Sequence, residues 1–202
     1  MITSLGCTSE EVILEQEKEI VHIPLEISPE QPPSPPPQRI DYPLYVGPKN
    51  GKTIYLTFDD GPSQYTSTLL DNLAKYDKFN VKVTFFVTNM RPEYIDNIKR
   101  AHNEGHSIGV HTYCHEYSKI YASEEAYIED FNAMQKVIYE QTGEYSSIFR
   151  FPGGSSNTIS KNNVGIMTRL AKMMDESGAV YFDWNVDSGD AENNGQTNQE
   201  KI

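Results

Sequence analysis

The sequence predicts an α/β fold built on parallel strands, preceded by an extension that buries little. Two observations lead there. From Lys52 onward, short segments rich in β-branched and aromatic residues alternate with segments of helical apolar spacing. Such alternation implies parallel strands joined by right-handed crossovers, hence a sheet or a barrel. Before that point, nine of the twelve prolines crowd between Pro24 and Pro48. Proline removes an N–H and fixes φ, so no helix or central strand runs through that stretch. Residues 1–50 are therefore expected to form an acidic, Pro-rich linker, and residues 51–202 the folded domain.

Composition narrows the function. The chain of 202 residues carries 17 Lys+Arg against 29 Asp+Glu, a net charge of −12. Nucleic acid and anionic membrane surfaces need clustered Lys and Arg, which are missing. No stretch approaches the roughly 20 apolar residues of a membrane-spanning helix. A hydrophobic share of 37% is low for a compact domain, as a poorly buried extension requires. Two cysteines, Cys7 and Cys114, define no disulfide framework.

Within the extension, residues 9–20 carry five glutamates and one lysine and suit either a short helix or a solvated segment. Residues 31–38 read as a polyproline-II spacer. Met1 to Leu5 lacks the basic and apolar regions of a signal peptide. Leu5-Gly6-Cys7 resembles a bacterial lipoprotein cleavage site without its hydrophobic part, with coincidence the plainer reading. In the domain, strands are expected at 53–58, 82–87, 107–111, 147–150 and 178–184, and helices at 66–78, 92–104, 123–141 and 163–176. Leu69, Leu70 and Leu73 form the apolar stripe of the first helix, and Phe131, Met134 and Ile138 that of the third. Ser123 and Pro92 mark helix starts, and Gly105, Gly143 and Gly178 mark helix ends.

The chemistry-bearing residues fall at the carboxyl ends of these strands, where α/β folds gather their ligands. The first strand ends in Asp59-Asp60-Gly61-Pro62. Adjacent carboxylates repel unless a cation or a proton is shared, although a turn capped by aspartate is the plainer meaning of the motif alone. The third strand runs into His111-Thr-Tyr-Cys-His115. Histidines four apart share a helical face and suit two imidazoles on one divalent ion, although a surface pair often has this spacing. Joined to Asp60, the pair reads as a metal site with open positions, the arrangement of a catalytic rather than a structural centre. Cys114, one residue from His115, is expected to pack. The fourth strand leads into Arg150-Phe-Pro-Gly-Gly154, offering a cation for the carboxylates and backbone N–H groups for an oxyanion. An ordinary loop with a salt-bridging arginine is its plainer reading. The fifth strand adds Asp187 and Asp190 to the same rim.

Taken together, T-F-D-D-G-P, H-T-x-x-H and R-x-P-x-G, in this order, resemble the polysaccharide deacetylases, the NodB-homology domain of carbohydrate esterase family 4. The resemblance covers about Lys52 to Ala191 and is strongest to bacterial peptidoglycan N-acetylglucosamine and chitooligosaccharide deacetylases. It implies a distorted (β/α) barrel and one divalent ion, zinc first, with cobalt, manganese or nickel as alternatives. It also implies roles. Asp60, His111 and His115 would bind the metal, and Asp59 would act as general base toward the attacking water. Arg150 would keep Asp59 ionised, the Gly153 N–H would bind the oxyanion, and Asp190 would brace the arginine. Tyr113, Pro152 and Gly154 would face the sugar. The polysaccharide partner and the tether-like linker imply an extracellular or cell-surface setting, and the oligomeric state is left open.

The sequence departs from that family mildly at Phe151, where proline more commonly follows the arginine, and more consequentially in two later places. The family's Leu-x-His motif supplies a histidine that protonates the leaving amine, and none of the five histidines follows Arg150. This reading expects a barrel lacking its last strand–helix units, in a truncated product or a variant of reduced activity. Asp190 is followed by Ala191 where the family has tryptophan. A metal-containing glycan-binding pseudoenzyme and an O-acetyl esterase are therefore rival readings, since an ester has the better leaving group.

Overall fold

The computed structural model describes residues 53–190. The expected linker, Cys7 and residues 191–202 lie outside them.

Five parallel strands form one sheet in the order β1-β2-β3-β4-β5. They are β1 (Thr57–Gly61), β2 (Thr84–Thr88), β3 (Ser107–Thr112), β4 (Ile148–Phe149) and β5 (Val180–Tyr181). Sequence order and spatial order coincide, so each crossover advances the sheet by one strand, as in the winding of a (β/α) barrel. The crossovers carry α1 (Thr66–Ala74), α2 (Asp96–Asn103), α3 (Tyr117–Ile120), α4 (Glu124–Thr142) and α5 (Ile166–Glu176). None of the helices is long and apolar enough to cross a membrane.

The core lies between the helices and one face of the sheet. Phe85, Val87, Val110 and Phe149 from the strands meet Leu70, Ile98, Phe131, Met134, Ile138 and Leu170 from the helices. Both expected stripes face it, Leu69 at its margin. The longest helix, α4, begins where Ser123 Oγ accepts the N–H of Ala126 and ends at Gly143, in the left-handed region. Phe86 alternates away from that cluster and lies under the Arg150 guanidinium.

Several element ends differ from the sequence reading. Residues 53–56 are exposed and outside the strand, which starts at Thr57, although the Leu56 carbonyl already accepts the Thr84 N–H. The segment 178–184 narrows to Val180–Tyr181, because only these residues pair with β4. Pro92 opens a short 3-10 turn, and α2 proper begins at Asp96. The four-residue α3 was not expected; it is too short for an apolar period to show.

Gly109 in β3 is a point of close approach. A Cβ there would sit 2.6 Å from Phe86 Cδ1 and 3.2 Å from Ile148 Cγ1. Both neighbours belong to the sheet, so neither gives way cheaply. Gly109→Ala is expected to destabilise the fold by about 1–3 kcal/mol, measured as a lower urea midpoint with an unchanged m-value.

Candidate active site

Two carboxylates in succession on a regular strand would point to opposite faces. The structure avoids this with a bulge. Phe58 pairs with Phe85 and Gly61 with Val87, so β1 holds one extra residue around Asp59 and Asp60. Asp60 takes φ 63°, a left-handed conformation costly for a non-glycine residue and found where function demands it. Both side chains thereby reach the same rim. A second register shift lies in β3, where Val87 pairs with Val110 but Thr88 with Thr112, leaving His111 as the extra residue. Bulges re-aim side chains next to active sites, and here they aim Asp60 and His111 at each other.

The three expected ligands converge. Asp60 Oδ1 lies 3.3 Å from His111 Nε2 and 3.2 Å from His115 Nε2, and all three donor atoms fall within 4.8 Å of one another. Ligand atoms bound to one ion at roughly 2.0–2.2 Å stand about 3.0–3.5 Å apart, so the set fits a small divalent cation. The tautomer also fits. His111 Nδ1 lies 2.8 Å from the Arg150 carbonyl oxygen, which can only accept. Nδ1 therefore carries the proton, and the Nε2 lone pair faces Asp60. Withdrawal from water lowers the His115 pKa and favours its neutral, ligating form. The same withdrawal tends to raise Asp60, but His111, His115 and Arg91 together hold it below the ordinary carboxylate value.

The two histidines do not share a helical face. His111 is the next-to-last residue of β3, and His115, itself at φ 53°, follows a bend and precedes α3. The expectation of helical spacing is corrected: the pair meets because the chain folds back on itself.

The Arg150 side chain is 3% exposed and donates four hydrogen bonds. Its Nη1 donates to Asp59 Oδ1 at 2.7 Å and to Thr57 Oγ1 at 2.9 Å, and its Nε donates to the Phe182 carbonyl at 2.8 Å. Its guanidinium carbon stands over the rings of Phe86 and Trp184, 4.3 and 5.3 Å from their centres. Partial burial raises the Asp59 pKa above the ordinary carboxylate value, opposed by His111 and by the Arg150 pairing that is expected to keep it ionised. A raised value suits a group that must take up a proton.

Other expected residues fall in different places. Asp190 Oδ1 accepts the Ser188 hydroxyl at 2.7 Å, and among the described residues Arg150 bonds to Thr57, Asp59 and the carbonyls of Phe182 and Asp183 rather than to Asp190. Gly153 is exposed in a left-handed turn, and its N–H has no acceptor among the described residues. Pro152 and Gly154 are buried, so the sugar contact expected of them is not offered at the surface. The Pro152 carbonyl accepts the Tyr121 hydroxyl, and Gly154 forms a floor for Trp184, where a Cβ would stand 3.4 Å from the ring. Tyr113 is 38% exposed on the turn between the histidines.

Beside Asp59 and Asp60 opens a cleft of about 490 Å³, lined also by Tyr65, Arg91, Tyr94 and Asp190. Sequence reading overlooked Tyr65 and Tyr94, and it overlooked Trp184 and Asp183 as well. Asp183 Oδ1 accepts the N–H of Ser155, ordering the loop after Gly154. The one available signal was that Trp184 is the chain's sole tryptophan.

A carboxylate base, a converged Asp-His-His donor set and a free backbone N–H at the strand ends are the equipment of a hydrolase. The family model for polysaccharide deacetylases matches residues 46–169. The chain belongs to the polysaccharide deacetylase family. Over 143 residues it is 35% identical to a peptidoglycan-N-acetylglucosamine deacetylase of Bacillus cereus, a match covering 70% of this chain and 48% of the relative. Among solved structures, the catalytic domain of the peptidoglycan N-acetylglucosamine deacetylase from Eubacterium rectale superposes with TM-score 0.65 at 51% identity, covering 69% of this chain and 62% of that one. A polysaccharide deacetylase from Bacillus cereus superposes with TM-score 0.57 at 35% identity, covering 68% and 62%. The chain spans about half the length of the first curated relatives it matches, 46% and 48%. The fold is thus the α/β arrangement of the NodB-type barrels.

The Arg150 geometry yields a prediction. Arg150→Lys keeps the charge but cannot reach Thr57, Asp59 and Phe182 at once. It is expected to cost about 2 kcal/mol or more in urea unfolding, since bonds to charged groups contribute about 1.5–3 kcal/mol each.

Proposed function

We propose that this chain is a metal-dependent deacetylase that removes N-acetyl groups from N-acetylglucosamine units of a polysaccharide, peptidoglycan first and chitooligosaccharide second. The observation that carries the reading is the convergence of Asp60, His111 and His115 beside an Arg150-held Asp59. Two imidazoles and one carboxylate suit zinc, with cobalt, nickel and manganese as alternatives. A divalent ion held by these three residues would supply Lewis acidity and lower the pKa of water toward neutrality.

The protein's own groups account for the remaining steps. Asp59 takes a proton from the attacking water, and Arg150 fixes its carboxylate orientation. The Gly153 N–H, without an acceptor among the described residues, donates to the oxygen that gains charge as the carbonyl becomes tetrahedral. The C–N bond then breaks, the water oxygen leaves in acetate, and the amine needs a proton. Asp59, having taken the proton from the attacking water, can return it to that amine. Tyr65 and Tyr94 offer apolar ring faces along the cleft on which a sugar can stack. A cell-wall substrate places the protein outside the membrane, with the Pro-rich residues before the domain serving as a spacer.

Acetate release from N-acetylglucosamine oligomers and from peptidoglycan tests the reading. The metal-loaded protein is expected to release acetate, to stop on chelation, and to lose at least about 100-fold in rate in Asp59→Asn. Release confined to an O-acetyl ester would favour the esterase, and saccharide binding with no acetate from any substrate would favour a binding module.

A further inference from the structure

The turn between His111 and His115 is held from outside, by a residue of α4 far along the chain. Asp130 Oδ2 accepts the Thr112 hydroxyl at 2.5 Å and the Tyr113 N–H at 2.6 Å, and its Oδ1 accepts the Cys114 N–H at 2.9 Å. Three donors on three consecutive residues thus close on one carboxylate. Thr112 Oγ1 also lies 3.4 Å from the His115 N–H, which extends the chain of contacts to the ligand itself. His115 needs that support, because its φ of 53° is unfavourable for a residue with a Cβ. The base beneath Asp130 is rigid. Its neighbour Phe131 and Tyr127, one turn back, are buried in the core, at 6% and 2% exposure. Nothing else in the mechanism uses Asp130, which touches none of the three donor atoms.

We propose that Asp130 is a positioning residue that folds the turn and thereby sets where His115 Nε2 stands relative to Asp60 and His111. The inference rests on reading those three residues as metal ligands. Outer-shell partners of metal ligands typically account for 10–100-fold in affinity. Positioning differs from a simple charge effect: Asp130→Asn removes the charge and one acceptor, whereas Asp130→Glu keeps the charge but moves the acceptors by a methylene.

The test is titration of the metal-free protein with cobalt(II), following the visible absorption bands and the dissociation constant. The variants are Asp130→Asn and Asp130→Glu, with Glu129→Gln, exposed on the same helix, as the control. Circular dichroism establishes that each is folded. Both Asp130 variants are expected to bind cobalt(II) 10–100-fold more weakly, with altered bands, and the control to match the parent protein. Parental affinity and spectrum in both Asp130 variants would overturn the proposal, and leave a role in stability alone. Parental affinity in Asp130→Glu with weakening in Asp130→Asn would replace positioning with a charge effect. Failure of the parent protein itself to bind cobalt(II) would remove the metal-site reading, and this inference with it.

Discussion

A guanidinium withdrawn from water organises this molecule. Arg150 donates to Asp59 on β1 and to the chain leaving β5, and stands over the rings of Phe86 and Trp184. Its backbone carbonyl accepts a hydrogen bond from the His111 Nδ1–H. One residue therefore fixes both the candidate base, through its side chain, and the tautomer of a candidate ligand, through its main chain. A buried cation tolerates such a position only when its donors are matched and a counter-charge is near, so the surrounding strands are constrained to supply carbonyls and a carboxylate. The tight contact at Gly109 has the same origin, since Phe86 is pressed between β3 and the guanidinium.

The site itself is assembled from irregularities. Regular parallel strands would separate Asp59 from Asp60 and would direct His111 by simple alternation. Extra residues in β1 and β3 change both directions. Two of the three donor residues, Asp60 and His115, have left-handed backbones. Strain of this kind costs on the order of 1–3 kcal/mol per residue and persists only where the surroundings over-determine it. The surroundings do so here through the ladder of β1 with β2 on one side and the Asp130 contacts on the other.

Much of this was legible in the sequence. All five strands and the four longer helices follow from periodicity and from caps such as Ser123 and Gly143. The acidic pair, the histidine pair and the Arg150 loop were visible as motifs, and their place at strand ends followed from the fold class. What could not be read was register. A bulge is decided by the partner strand, so the sequence alone suggested a helical histidine pair where the structure has a bend. Asp130 stands 15 residues from His115 on a helix rich in acidic residues, and looks like a solvated position. Asp190 bonds to Ser188, while Arg150 finds its acceptors in Thr57, Asp59 and the carbonyls of Phe182 and Asp183, pairings that depend on the fold rather than on sequence spacing.

The central claim is that three side chains from two strand ends and one bend hold a single ion. Anomalous scattering at the zinc edge, from crystals of the zinc-loaded protein, tests it most directly. The account predicts one peak per chain, roughly 2.0–2.2 Å from the Asp60 carboxylate and from Nε2 of His111 and His115. A peak held by other residues, or a fully zinc-loaded crystal with no peak between these three, would contradict it.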